Sequence, residues 1–99
     1  MSLDTDALRV LADPLRARIL ELLAEEALCT CHLVDATGAK QTNISNHLRQ
    51  LREAGLVAAE PAGRFTYYRL LPEAVQRAAD SLTALAERAR NQSDARRPC

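Results

Sequence analysis

A mainly α-helical domain carrying one small β-hairpin is what this sequence predicts, on three observations. Apolar residues recur three and four apart through most of the chain, the signature of helices with one buried face. Between residues 56 and 71 that spacing gives way to two short runs split by Pro61-Ala62-Gly63-Arg64, the second of them holding Phe65, Tyr67 and Tyr68. Ninety-nine residues allow one small domain with a modest core and little stability to spare, so a second copy of the chain would help it.

Leu3 to Ala12 is a short helical pattern with Leu8 and Leu11 on one side. Asp13-Pro14 then offers an N-cap followed by proline at the first helical position, and Leu15, Ile19, Leu22 and Leu23 keep helical spacing to about Glu26. Leu33 and Val34 fit a short helix ending at Thr37-Gly38, where glycine suits a left-handed cap. The turn Gly38-Ala39-Lys40 leads into a helix from Gln41 to Ala54, stopped by Gly55. Leu56 to Glu60 and Phe65 to Leu71 read as the hairpin, with Gly63 at its tip. After Pro72 the last helix carries Val75, Ala78, Leu82, Leu85 and Ala89 as a coiled-coil-like seam, expected to bury against a second copy.

The helix from Gln41 carries the first functional signal. Ile44, Leu48 and Leu51 form its apolar stripe, which leaves Thr42, Asn46, Arg49 and Glu53 opposite, flanked by Asn43, Ser45 and Gln50. Solvated helix faces usually carry many Lys and Glu; amides and arginine instead match base edges in the major groove, and hydroxyls and arginine also hold phosphates. Charge agrees with this reading although the chain is neutral overall. Residues 1–39 hold three Arg against seven acids, and residues 71–99 five Arg against four. Residues 40–70 hold Lys40, Arg49, Arg52, Arg64 and Arg69 against Glu53 and Glu60 alone. Arg64 at the hairpin tip is read as a phosphate contact, and Tyr68, with Phe65 as a second candidate, as packing. His47, close to the apolar stripe, is read as a packing or hydrogen-bonding residue. Two helices joined by a short turn and followed by a hairpin are the parts of a winged helix-turn-helix. Residues 1–91 are then one DNA-binding and dimerisation domain, and residues 92–99 a flexible polar tail.

The second signal is Cys29-Thr30-Cys31, just ahead of the helix-turn-helix. On a regular helix, side chains two apart point to nearly opposite sides, so these thiols can share one ion only where the backbone is extended, turned or unwound. A helix beginning at or before Cys29 would have to deform to bind one. A disulfide between residues so close would be strained. Three cysteines, a close pair and a terminal Cys99, form no disulfide framework. No apolar run is long enough to cross a bilayer and no basic leader precedes an apolar core, so no membrane partner and a cytoplasmic location are expected, with thiols available to ions.

The sequence resembles the arsenical-repressor group of the ArsR/SmtB family of bacterial winged helix-turn-helix repressors. The resemblance rests on Leu11-Ala12-Asp13-Pro14-Leu15-Arg16 with Ile19-Leu20, then Leu28-Cys29-Thr30-Cys31-His32-Leu33, then Ile44-Ser45-Asn46-His47-Leu48 with Leu51-Arg52-Glu53-Ala54-Gly55-Leu56-Val57, and finally Tyr68-Arg69-Leu70. It implies a homodimer on a palindromic double-stranded operator, released by a toxic metal or metalloid, and adds Gln41 and Ser45 to the expected DNA contacts. Arsenite or antimonite is the implied inducer, bound by Cys29 and Cys31. Relatives of that group carry a further cysteine three residues after the second, where this chain has Val34. Trivalent arsenic takes three ligands and prefers thiolates, so one place is left for Cys99, a small thiol or solvent. His32 could ligate zinc or cadmium beside the thiolates but stands where relatives often have Asp, and is read as an outer-sphere residue at most. Histidine is absent from residues 72–91, where relatives sensing zinc or nickel place it, and cysteine from residues 41–54.

Three rival readings remain at this level: a thiol-based repressor answering to cadmium, lead, zinc or oxidants, a helical interaction module without a DNA target, and an enzyme. The basic middle segment and amide-rich helix argue against the module. No phosphate-binding glycine loop is present, and the Cys and His residues come without a recognisable third orienting group, which argues against an enzyme.

Overall fold

The computed structural model describes residues 2–92 and 96–99. In chain order the elements are α1 (Thr5–Leu11), α2 (Pro14–Leu23), β1 (Leu28–Cys29), α3 (Thr30–Thr37), α4 (Gln41–Glu53), β2 (Val57–Ala62), β3 (Phe65–Leu70) and α5 (Pro72–Asn91). Helix starts follow local chemistry. Asp4 caps α1 by accepting the Ala7 N–H, and Asp13 caps α2 by accepting the Arg16 N–H at 3.0 Å, with Pro14 in the first turn. Gly38 ends α3 in the left-handed conformation, φ 74°, and its N–H bonds the Val34 carbonyl. Thr37 closes the same turn, its hydroxyl donating to the Leu33 carbonyl and accepting the Ala39 N–H.

Leu33 of α3, Ile44, Leu48 and Leu51 of α4, Ile19 and Leu23 of α2, and Leu56 and Val57 at the start of the hairpin make one buried cluster. All three residues of the expected stripe on α4 are at most 1 % exposed. The helix is therefore held by its apolar edge, with the polar side outward. The hairpin turns through Gly63 and Arg64, between the paired residues Ala62 and Phe65. Gly63 has φ 63° and Arg64 does not have positive φ, the pattern of a type II′ turn, which asks for glycine at its first central position.

The sheet has a third strand that the sequence reading lacks. β1 pairs antiparallel with β3, Leu28 opposite Tyr68 and Cys29 opposite Tyr67, to give the order β1-β3-β2. Two residues carry no alternation to detect, and their pairing comes from the distant β3. Tyr68 packs against the core as expected, whereas Phe65, paired with Ala62 beside the hairpin turn, is 57 % exposed and takes no part in it. α2 ends at Leu23, short of Glu26. On α5 the expected seam divides. Ala74, Ala78 and Ser81 are buried, Ser81 accepting the Asp4 N–H from the start of α1, while Leu82 and Leu85 are exposed. Of the expected tail, residues 93–95 lie outside those described. Among the described residues no helix is long and apolar enough to cross a membrane.

Candidate nucleic-acid interface and thiol site

Gln41, Thr42, Asn43, Ser45, Asn46 and Arg49 are all exposed and line one open groove of about 670 Å³ along α4. The burial of Ile44 and Leu48 on the other edge puts them there. Asn46 and Arg49, one turn apart, are joined by a hydrogen bond from the guanidinium to the amide oxygen. The first residue of α4 follows Lys40, which provides no side-chain cap, so the leading N–H groups of the helix are not occupied by a local side chain. Arg64 is exposed at the tip of the wing.

Behind α4 a polar cluster sets its position. The Arg16 guanidinium donates to the Val10 carbonyl at 2.7 Å and to Gln50 Oε1 at 2.7 Å, and lies 3.1 Å from His47 Nδ1. Guanidinium only donates, so His47 Nδ1 accepts and its ring proton sits on Nε2. One half-buried arginine thus ties α2 and the end of α1 to the helix bearing the amides. His47 makes the hydrogen bond foreseen for it. The role of Arg16 carried no signal in the local sequence, since its partners lie up to 34 positions away.

Cys29 is the N-cap of α3, with extended backbone (φ −89°, ψ 170°), and Cys31 lies in the first turn. The condition for sharing an ion is met by the strand-to-helix junction itself, so α3 need not unwind to bring the thiols together. Cys29 Sγ, Cys31 Sγ and a ring nitrogen of His32 all lie within 4.8 Å of one another. His32 Nδ1 accepts the Cys29 N–H at 3.2 Å and is 3.3 Å from Cys29 Sγ, and the ring is held 6.1 Å from that of Tyr67 on β3. Residue N3 reaching back to the N-cap amide is the logic of a capping box, and the Cys-x-x-His spacing could have pointed to it.

Cys29 is 4 % exposed and Cys31 exposed. A hydrogen bond between the two thiols pulls Cys29 below the ordinary thiol range and pushes Cys31 above it, while burial works the other way on Cys29 and the N–H groups of His32 and Cys31 favour its thiolate. The two thiols titrate together as one pair. Cys99 is exposed and stands outside this cluster. A groove of about 320 Å³ joins the thiol pair to Gln41 of α4 and to Arg64, Phe65, Thr66 and Tyr68 of the wing. The thiol pair and the expected DNA contacts share its walls.

Helix-turn-helix, wing and an exposed amide-rich second helix define the chain as a winged helix-turn-helix of the DNA-binding type. Residues 13–59 match the family described as bacterial regulatory protein, arsR family. The chain is 48 % identical over 69 residues to the arsenic resistance transcriptional regulator ArsR1 of Pseudomonas putida, covering 69 % of this chain and 54 % of that protein. It is 43 % identical over 65 residues to the arsenical resistance operon repressor of Escherichia coli, covering 65 % of this chain and 56 % of that one. The matched stretch thus spans little more than half the length of these relatives. A crystal structure of a possible transcriptional regulator for arsenical resistance superposes with TM-score 0.76 at 36 % identity, covering 93 % of this chain and 98 % of that one. The chain belongs to the ArsR family, whose named members here are transcriptional regulators, not enzymes.

Proposed function

We propose that this chain is a metalloid-responsive transcriptional repressor. As a homodimer it holds a palindromic operator through Gln41, Thr42, Asn43, Ser45, Asn46 and Arg49 in the major groove and Arg64 on phosphate. It lets go when arsenite or antimonite binds Cys29 and Cys31. The observation that carries this reading is the shared groove, which has the thiols on one wall and Gln41 and Arg64 on others. The names of the relatives, arsenic resistance regulators and an arsenical resistance repressor, support the inducer class.

The chemistry balances without a redox step. Two thiol groups displace two hydroxyls of arsenous acid, two As–S bonds replace two As–O bonds, and two waters leave. The two sulfurs attack in turn, the second closing the chelate. The third position on arsenic keeps its hydroxyl or takes another thiol, from Cys99 or from solution. Cys29 is held in β1 against the wing strand at Tyr67, whereas Cys31 rides on α3, which packs against α4. Pulling both sulfurs onto one atom moves α3 relative to the wing, and the recognition helix follows.

The test is release of a labelled palindromic operator from the reduced protein, run in parallel with arsenite, antimonite, cadmium, lead, zinc and peroxide. Release by both trivalent metalloids is expected. An operator complex indifferent to them would end this reading.

A further inference from the structure

We infer that Arg16 is a positioning residue for the recognition helix: it fixes the angle of α4 against α1 and α5, and through that angle the half-site spacing that a dimer accepts. The spacing rests on the homodimer of the proposed function; the angle does not.

Arg16 is anchored in the first turn of α2, where its N–H donates to the Asp13 carboxylate at 3.0 Å. Its Nε donates to the Val10 carbonyl near the end of α1 at 2.7 Å. In a continuing helix that carbonyl would receive the N–H of residue 14, but Pro14 has none, so Arg16 supplies the missing donor. Its Nη1 reaches Gln50 Oε1 and His47 Nδ1, which stand one turn apart on α4 and directly follow Arg49 and Asn46 in sequence. Ile44, Leu48 and Leu51 already hold α4 on the core. Apolar contact is non-directional and tolerates a small rotation, whereas the planar guanidinium accepts its partners at fixed angles.

The connection continues through α1. At its start the Asp4 N–H donates to the Ser81 hydroxyl of α5 at 3.3 Å, and Ala7 of α1 and Ala78 of α5 are both buried. One short helix therefore joins the element that exposes Leu82 and Leu85, expected to bury against a second copy, to the arginine that grips α4. In a two-fold dimer the half-sites lie about 34–36 Å apart, or a multiple of it, and the separation of the two recognition helices must match. The angle of each α4 to α5 sets that separation.

The test begins with an operator selected from a random duplex pool by the full, reduced chain. Duplexes with one or two base pairs inserted or removed between the half-sites then give a spacing profile. Arg16→Met keeps an unbranched apolar stem and removes every side-chain donor. It should weaken binding at the parental spacing by roughly 2–30-fold, while altered spacings lose less, so that the profile flattens. A loss that is uniform across all spacings, the mark of a domain merely destabilised, would overturn the inference. His47→Asn keeps an acceptor on Cγ, where the imidazole has Nδ1, and should preserve the parental profile. His47→Leu leaves Gln50 as the single acceptor on α4 and should flatten the profile in part, which provides a second reading if Arg16→Met does not fold. Residual dipolar couplings of the free protein read the angle without DNA. In Arg16→Met the couplings of α4 should shift or shrink relative to those of α1 and α5, and couplings that keep their parental ratio would overturn the inference. A reoriented α4 in a chain that selects no palindrome would support the positioning role and defeat the proposed function instead.

Discussion

At Asp13 and at the thiol pair, single side chains set local structure and chemistry together. The Asp13 carboxylate accepts the Arg16 N–H, which holds it below its ordinary range, with the Arg16 charge as a lesser cause. A carboxylate depressed on folding adds stability at pH values above its unfolded pKa, and that contribution disappears as pH falls through the folded value. Asp13→Ala should therefore lower the melting temperature near neutrality, with the gap to the parent chain closing in acid; thermal melts across that range check it. For the thiols, Cys29→Ser and Cys31→Ser should each leave operator affinity within a few-fold and abolish release by arsenite, because one remaining thiolate has no chelate advantage. Cys99→Ser should weaken the response without abolishing it. Arsenic X-ray absorption in the absence of added thiol reads the outcome: an intact three-sulfur shell in that variant would remove Cys99 from the ligand set. The pair itself was legible as a pair. That it could chelate was not, because Cys29 owes its extended backbone to β3, nearly 40 positions further on.

At the scale of elements, the proposed operator contacts divide between α4 and the wing. Asn46→Ala should cost about 1–3 kcal/mol of operator binding and relax base preference, since an amide that pairs with a base edge carries sequence information. Its partner Arg49 loses a hydrogen bond in the same variant, so Arg49→Ala is the companion measurement. Arg64→Ala should weaken all sequences alike and flatten the salt dependence. Equal loss of base preference in the Asn46 and Arg64 variants, measured by competition against scrambled duplexes, would contradict this division. The turn ahead of α4 is tested separately. A Cβ at Gly38 meets nothing within 4 Å, so Gly38→Ala isolates the backbone cost of a left-handed residue, roughly 1–2 kcal/mol in denaturant unfolding. α4, the glycine end of α3 at Gly38 and the hairpin turn were readable because each is specified by residues close to its own boundary, whereas the start of α3 at Thr30 was not. β1 was not, since two residues make no pattern.

For the whole molecule the open question is what covers α5. From Leu82 to Gln92 every residue except Ala84 is exposed, and Leu82 and Leu85 are 46 % and 42 % exposed. Leu82→Glu with Leu85→Glu should convert a dimer to a monomer in sedimentation and abolish tight binding to a palindrome, because a lone subunit holds one half-site. A parent chain that sediments as a monomer at micromolar concentration yet grips the palindrome would refute the dimer.

The apolar spacing by itself determined the helices, the buried edge of α4 and therefore the outward side that carries Asn46 and Arg49, since burying Ile44, Leu48 and Leu51 leaves those residues nowhere else to face. Tertiary structure alone decided the rest. It paired β1 with the wing, set Arg16 between α1 and α4, brought His32 to the thiols and placed Gln41 and Arg64 beside Cys29. Local pattern reports which face of an element seeks the core. Which distant element meets it there depends on how all the faces pack at once, and no window of a few residues contains that information.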